Sequence, residues 1–319
     1  MYDTVNMLLF SERANDIVKY LDHVRDIRQD GICVVTTGYL RSPSGHEGCD
    51  LKVSVDHNGF IRIGKTSLCK WLHGDNLVHY LTRTDTKYCI EAIGDILHMP
   101  IMDSNITRLD FGYNMILEGK PKFYIPHLGE LARYNRLQIK EESIYYSNSL
   151  RKYVVYDKIK EQKSRNKSIP ADLKNENIIR LELQINDGVA RYFRESFVKT
   201  RMLYDVDFYS KCLEYWSNHY YKIQKINNVM LNFGEVTTKT HLYQFGILCA
   251  IEKYGELRLL QQIRGAQQSK KLTRKQAHVL REAIASASRS SQFTMECPFI
   301  MELDTQINNA INLIKEDNL

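Results

Sequence analysis

Three apolar stretches of the chain are interrupted by polar groups at alternate positions. Ile106-Thr107-Arg108-Leu109-Asp110-Phe111-Gly112-Tyr113 sets Asp110 on the same face as Arg108, because side chains of a strand alternate sides. Tyr153-Val154-Val155-Tyr156-Asp157-Lys158-Ile159-Lys160-Glu161, read as a strand, sets Tyr156 with Lys158 by the same rule. Ile179-Arg180-Leu181-Glu182-Leu183 pairs Arg180 with Glu182. With the three strands side by side, Asp110 and Glu182 would hold one hard divalent cation, Mg²⁺ or Mn²⁺, which accepts carboxylate oxygens and keeps several waters. The Tyr156 phenol would then attack a phosphodiester. Its ordinary pKa near ~10 makes it weak until a metal or a cation such as Lys158 favours the phenolate. The metal would also polarise the phosphate. That chemistry is phosphoryl transfer through a covalent phosphotyrosine. Each part has a plainer explanation. The chain has 20 tyrosines, and a tyrosine in a strand is usually packing. Strand carboxylates two residues from an arginine are commonly ion pairs, and Lys158, Lys160 and Lys163 would by default form a solvated edge.

Other chemistries fit poorly. The ten histidines contain no His-x-His pair, and the seven cysteines are scattered without a Cys-x-x-Cys. No Gly-x-x-x-x-Gly-Lys-Ser/Thr loop is present, nor a Gly-x-Ser-x-Gly elbow, so ATP hydrolysis is not expected.

The elements that must position these groups follow from periodicity. Residues 1–10 read as a strand, 12–28 as a helix through Ile17, Leu21 and Val24, and 32–40 as a second strand. Asp56-His57-Asn58-Gly59 marks a hairpin between 51–55 and 60–63. Ser67–His73 is short and apolar, and a helix runs from about Lys87 to His98. Strands follow at 106–115, from Tyr145, at 153–156 and at 178–185. Residues 160–177 read as a mobile basic loop. Beyond Val189 helical stretches dominate, at 207–225, 240–254, 256–268, 273–287 and 305–316, with Thr273 and Gln276 as a capping box. The expected class is α+β, a mostly antiparallel sheet with flanking helices and an all-helical C-terminal region. The boundary falls near 190–206, dividing 1–205 from 206–319.

The chain has 319 residues, 43% of them apolar, enough to bury a substantial core. No apolar run approaches the ~18 residues that cross a bilayer, and the N-terminus lacks a signal-peptide pattern, so a soluble intracellular protein is expected. The net charge of +6 is unevenly placed. Residues 120–180 hold 14 basic and 7 acidic residues and 252–290 hold 9 and 3, while the remainder holds 21 and 28. Segregated positive charge is a footprint for a polyanion, although a solvated face is the ordinary explanation of a charge run.

An ordered series of short motifs resembles the gene II/gene X family of replication initiators from filamentous phages and related plasmids. More distantly it is similar to the initiators of staphylococcal rolling-circle plasmids. Ser67-Leu68-Cys69-Lys70-Trp71-Leu72-His73-Gly74-Asp75-Asn76 resembles the family's Ser-x-x-Lys-x-Leu-x-Gly-x-Asn segment, and Thr107-Arg108-Leu109-Asp110 its Thr/Ser-Arg-Ile/Leu-Asp strand. Tyr156-x-Lys158-x-x-Glu161 and Arg180-x-Glu182 resemble two further motifs, and the match covers roughly 50–200 in register. The resemblance implies an HUH/Rep-like core and a single-strand endonuclease and strand transferase that starts rolling-circle replication. In such enzymes the tyrosine nicks the origin, keeps the 5′-phosphate and leaves a 3′-OH primer. Tyr156 would be the nucleophile, Lys158 would stabilise charge at the phosphate, and Asp110 and Glu182, with Glu161, would hold Mg²⁺ or Mn²⁺. The His-hydrophobe-His motif of many rolling-circle endonucleases is missing, so carboxylates must supply the metal site. Tyr153 is a second candidate nucleophile, facing opposite to Tyr156 on a strand.

The partners implied are single- and double-stranded origin DNA, with host helicase and polymerase, in the bacterial cytoplasm and away from membranes. Arg151, Lys152, Lys160, Lys163, Arg165 and Lys167 are the expected DNA contacts around the tyrosine, with Tyr145, Tyr146 and Tyr153 as stacking surfaces. Arg274, Lys275 and Arg281 would meet duplex DNA. Two alternatives stay open, an origin-binding protein or repressor without the chemistry and a mobilisation relaxase.

Overall fold

Alternating apolar residues need a partner strand on each side before either face can be buried, and the chain up to residue 185 supplies a succession of such segments. The computed structural model describes residues 1–64, 66–226, 228–229, 236–289, 294–295 and 297–316. The strands and helices are, in order, β1 (Tyr2–Phe10), β2 (Asp22–Gln29), β3 (Ile32–Leu40), β4 (Leu51–Asp56), β5 (Phe60–Gly64), α1 (Leu68–His73), α2 (Arg83–Leu97) and β6 (Asn105–Leu117). Next come β7 (Leu128–Leu131), β8 (Asn135–Ile139), β9 (Ser143–Ser147), β10 (Arg151–Asp157), α3 (Lys158–Ser164), β11 (Asn177–Ile185) and α4 (Val189–Phe193). The C-terminal part holds α5 (Val206–Lys222), β12 (Ile223–Lys225), β13 (Asn228–Val229), α6 (Lys239–Tyr254), α7 (Glu256–Gln268), α8 (Arg274–Ser288), β14 (Thr294–Met295) and α9 (Pro298–Glu316).

Ten strands form one antiparallel sheet in the order β2-β3-β4-β5-β1-β6-β11-β10-β9-β8. The fold is α+β as expected, with a helical C-terminal region. Register aligns the three polar strands: Tyr156 stands opposite Arg180, Val154 opposite Glu182, Glu182 opposite Gly112 and Gln184 opposite Asp110. Gly112 lets these backbones close up, since a Cβ there would lie 2.4 Å from the Leu181 carbonyl oxygen. The alternate residues Leu109, Phe111, Tyr153, Val155, Leu181 and Leu183 are buried in the main core with Phe193, Trp216 and Tyr220. The Trp216 indole donates to the Leu181 carbonyl at 3.0 Å, pinning α5 to this covered face.

The main core runs across the expected boundary at 205/206. Phe208, Leu213 and Trp216 of α5 and Ile300, Leu303 and Ile307 of α9 belong to it, whereas Leu248 and Ala287 of α6 and α8 form a small cluster of their own. Register between β13 and β14 brings the two ends of the α6–α8 segment together. Among the described residues no helix is long and apolar enough to cross a membrane.

One local expectation is corrected, and one strand had no counterpart in the sequence reading. Residues 12–28 are not one helix: a 3₁₀ turn spans Ala14–Tyr20 and β2 follows. As the edge strand of the sheet, β2 is exposed along its whole length, so it has no buried face to impose apolar alternation. β8 was hidden for a related reason, since its apolar Leu137 and Ile139 face solvent.

Candidate active site

The uncovered face of the central strands carries the polar residues and floors a cleft of about 600 Å³. Tyr156 is half-buried there, and its hydroxyl donates to Glu182 Oε2 at 3.3 Å. Burial and the Glu182 carboxylate hold this phenol well above its ordinary pKa, so the resting side chain is a protonated donor. Glu182 is satisfied on both oxygens: Arg180 Nε donates to Oε2 at 2.9 Å and Gln184 Nε2 to Oε1 at 2.8 Å.

Lys158 reaches the cleft by a route that differs from the strand reading. β10 stops at Asp157, whose side chain accepts from the Lys160 backbone N–H at 2.9 Å and caps α3. Lys158 is therefore the first residue of a helix, and its ammonium lies 5.9 Å from the Tyr156 ring centroid. It is 1% exposed and donates to Glu161 at 3.0 Å and to the Asn76 side-chain oxygen at 3.1 Å. Burial, reinforced by the charge of Arg180, pushes its pKa down to about 8, which leaves it mostly charged at neutral pH.

Asp110 lies on the same floor. Arg108 grips it through Nε at 3.0 Å and 3.1 Å and Nη2 at 2.6 Å. Burial nevertheless pushes its carboxyl up to about 7, with Glu182 and Asp3 adding repulsion. Glu161, the third expected ligand, has its oxygens held by Lys158 at 3.0 Å and Arg165 at 2.7 Å, as Arg108 holds Asp110 and Arg180 holds Glu182. Among the described residues no three His, Cys, Asp or Glu side chains gather to hold a metal. Asp110 and Glu182 are hard oxygen donors of the kind Mg²⁺ takes, and a cation between them would compete with the Arg108, Arg180 and Gln184 donors for their oxygens. A buried carboxyl that is costly to ionise is one a bound cation would keep charged.

Tyr153, the other candidate nucleophile, does not reach the cleft. It is fully buried on the covered face, its ring stacks on His219 at 5.4 Å, and its hydroxyl has no hydrogen-bond partner among the described residues. Arg151 shares that face, stacks its guanidinium 4.3 Å from the Tyr192 ring centroid and does not line the cleft. Tyr146 is buried too, donating to the Gly129 carbonyl at 2.8 Å, whereas Tyr145 lines the cleft. Lys152 is exposed on the face of Tyr156. Lys160 pairs with Glu142 at 3.0 Å at the cleft wall, and Lys163 and Lys167 are exposed beside it. Arg274 and Lys275 are exposed at the start of α8 and do not line the cleft. The stretch read as a loop from 160 is helical through Ser164.

Two side chains, Asp3 and Asn114, escaped the sequence reading, and Asn76 entered it only as the last residue of the Ser67–Asn76 motif, without a role. Asp3, Asn76 and Asn114 come together around Arg180, and burial, which alone would raise the Asp3 carboxyl, is overcome by Arg180, Ser67, Lys70 and Lys158 to hold it below its usual range. Asp3 had a visible signal, a carboxylate within an apolar strand like the three polar interruptions above. Asn76 had a signal in its place at the end of the Ser67–Asn76 motif, but nothing local says that this loop asparagine points inward.

A family model for the N-terminal part of the replication-associated protein encoded by gene II matches residues 1–202. No curated protein matches the chain.

Proposed function

The chain belongs to the replication-associated protein family of the filamentous-phage gene II replication initiators, and on that premise we propose that it nicks and rejoins single-stranded origin DNA through Tyr156. The observation that carries this reading is the Tyr156 hydroxyl donating to Glu182 at 3.3 Å in an open cleft with the Lys158 ammonium beside its ring. Tyr156 Oη attacks phosphorus, its proton passes to Glu182, the P–O3′ bond breaks, and the departing 3′ oxygen takes a proton from solvent. The products are a 5′-phosphotyrosine and a free 3′-OH. Lys158 favours the phenolate and offsets charge gathering on the phosphoryl oxygens. Attack of a 3′-OH on the phosphotyrosine reverses the step. The ester conserves the bond energy, so rejoining needs no nucleotide.

Asp110 and Glu182 are the carboxylates that would hold Mg²⁺ or Mn²⁺. A divalent ion supplies polarisation of the scissile phosphate when bound. The family role implies origin DNA as partner, and host helicase and polymerase are proposed to act on the primer. Lys152, Lys160, Lys163 and Lys167 are proposed to hold the DNA backbone around the cleft, and Arg274 and Lys275 to hold duplex away from it.

The test uses a random-sequence single-stranded oligonucleotide pool with Mg²⁺ or Mn²⁺. A 3′-end label should transfer to wild-type protein and resist denaturation, with the adduct mapping to Tyr156 by mass spectrometry. Tyr156→Phe should transfer none. Transfer that survives this change removes Tyr156 as nucleophile, and binding without transfer by wild type favours a non-catalytic origin-binding protein.

A further inference from the structure

A continuous buried hydrogen-bond path joins the two groups proposed to act on the phosphate, and its central members have no part in that chemistry. Lys158 Nζ donates to Asn76 Oδ1 at 3.1 Å, and Asn76 Nδ2 donates to the two Asp3 oxygens at 3.3 Å and 3.2 Å. Asp3 Oδ2 accepts from Arg180 Nη2 at 3.0 Å, Arg180 Nε donates to Glu182 at 2.9 Å, and Glu182 accepts from Tyr156. Asn114 closes the loop: its amide donates to the Asn76 and Leu77 carbonyls at 3.0 Å and 2.8 Å and its oxygen accepts from Arg180 Nη1 at 3.0 Å. Asn76, Asp3 and Arg180 are all buried.

An ammonium only donates and a carboxylate only accepts, so a group between them must do both. An amide does, and it is neutral. A carboxylate at 76 would add a second anion against Asp3, and an apolar residue would leave Lys158 and Asp3 each short of a partner in a buried site. The amide orientation is dictated by its two neighbours.

We propose that Asn76, acting with Asp3, is a positioning residue of the nicking reaction: it sets the Lys158 ammonium at its place beside the Tyr156 phenol by linking it to the Arg180–Glu182 pair that holds the tyrosine. This inference rests on the tyrosyl reading above. Asn76 touches neither substrate nor the reacting atoms, so its effect falls on the rate of the covalent step and not on DNA affinity.

The experiment is single-turnover label transfer from an oligonucleotide selected out of the pool, with thermal melts of every variant. Wild type and Tyr156→Phe run first: absence of transfer by wild type sinks the tyrosyl reading and this proposal with it, while transfer by wild type alone leaves Asn76 as the sole question. Asn76→Asp and Asp3→Asn should each slow transfer by roughly 10- to 100-fold with KM changed less than about twofold. The exchange Asp3→Asn with Asn76→Asp restores one amide and one carboxylate in the path and should recover the rate to within about fivefold of wild type. A merely structural role would lower the melting temperature in step with the rate and would not be repaired by the exchange. Single variants at the wild-type rate, a change in KM alone, or an exchange no faster than the slower single variant each overturn the proposal. Should Asn76→Asp lack a cooperative melt, the comparison of Asp3→Asn with the exchange decides by the same criteria.

Discussion

His219 shows how one residue sets a condition for the covered face. Its Nδ1 lies 2.7 Å from the Tyr215 carbonyl and its Nε2 3.0 Å from the Tyr134 hydroxyl, so the neutral ring donates to one and accepts from the other. Burial lowers its pKa below the ordinary 6.5. The unfolded chain therefore binds more protons than the fold below about pH 6.5, and stability is lost as pH falls from that value through the folded pKa. Melting temperatures across this window should fall more steeply for wild type than for His219→Gln. Parallel slopes would remove His219 as the cause. At the same scale, Tyr153 and Tyr156 are three residues apart on one strand, yet one is core and the other faces the cleft. Period two made that opposition legible, whereas the identity of the covered face was not.

At the scale of elements, the junction of β10 and α3 decides how Lys158 is presented. The chain leaves the sheet at Asp157, and the cap turns the next residue inward at the first turn of a helix. Asp157→Ala should cost about 1 kcal/mol of stability in urea denaturation, the typical worth of an N-cap. It should also slow label transfer, because Lys158 then starts a frayed turn. Retention of the wild-type transfer rate would mean that the Asn76 and Glu161 contacts alone hold the lysine. The strand reading of 153–161 placed Tyr156 and Lys158 together for a mistaken local reason. Capping by Asp157 was readable in principle, but the run Tyr-Val-Val-Tyr and the alternation after it carried the strand reading four residues past Asp157, to Glu161. α2, α5, α6, α7 and α8 were close to their sequence boundaries because each carries a long 3.6-residue pattern or a strong cap, while β2 and β8 have exposed apolar residues and no such pattern.

For the whole molecule, the C-terminal helices divide between two roles. α9 returns to the sheet, where Glu302 accepts from the Glu118 backbone at 2.7 Å and from the Tyr124 hydroxyl, and Asp304 accepts from Tyr220 at 2.5 Å. α5 and α9 thus complete the core beneath the family-matched segment. Truncation after residue 205 should abolish the cooperative thermal transition. Replacement of 236–289 by a short Gly/Ser linker should keep that transition and the label transfer, since β13 and β14 already bring its ends together. The same replacement removes most of the basic segment 252–290, so affinity for duplex DNA should fall and its salt dependence should become shallower. Loss of transfer in this variant would tie α6–α8 to the proposed site at Tyr156 itself.

The sequence by itself determined that Asp110, Glu182 and Tyr156 stand on strands, because alternation and residue type are local properties. The motif order also pointed to the family, since spacing survives without any knowledge of contacts. Tertiary structure alone decided which face of the sheet is open, turning Tyr153 into a core residue and Arg151 toward the covered face, and brought Asp3 and Asn76 to Arg180 and Lys158. Those outcomes depend on what packs against a strand and on which distant segments meet, and no local pattern encodes either.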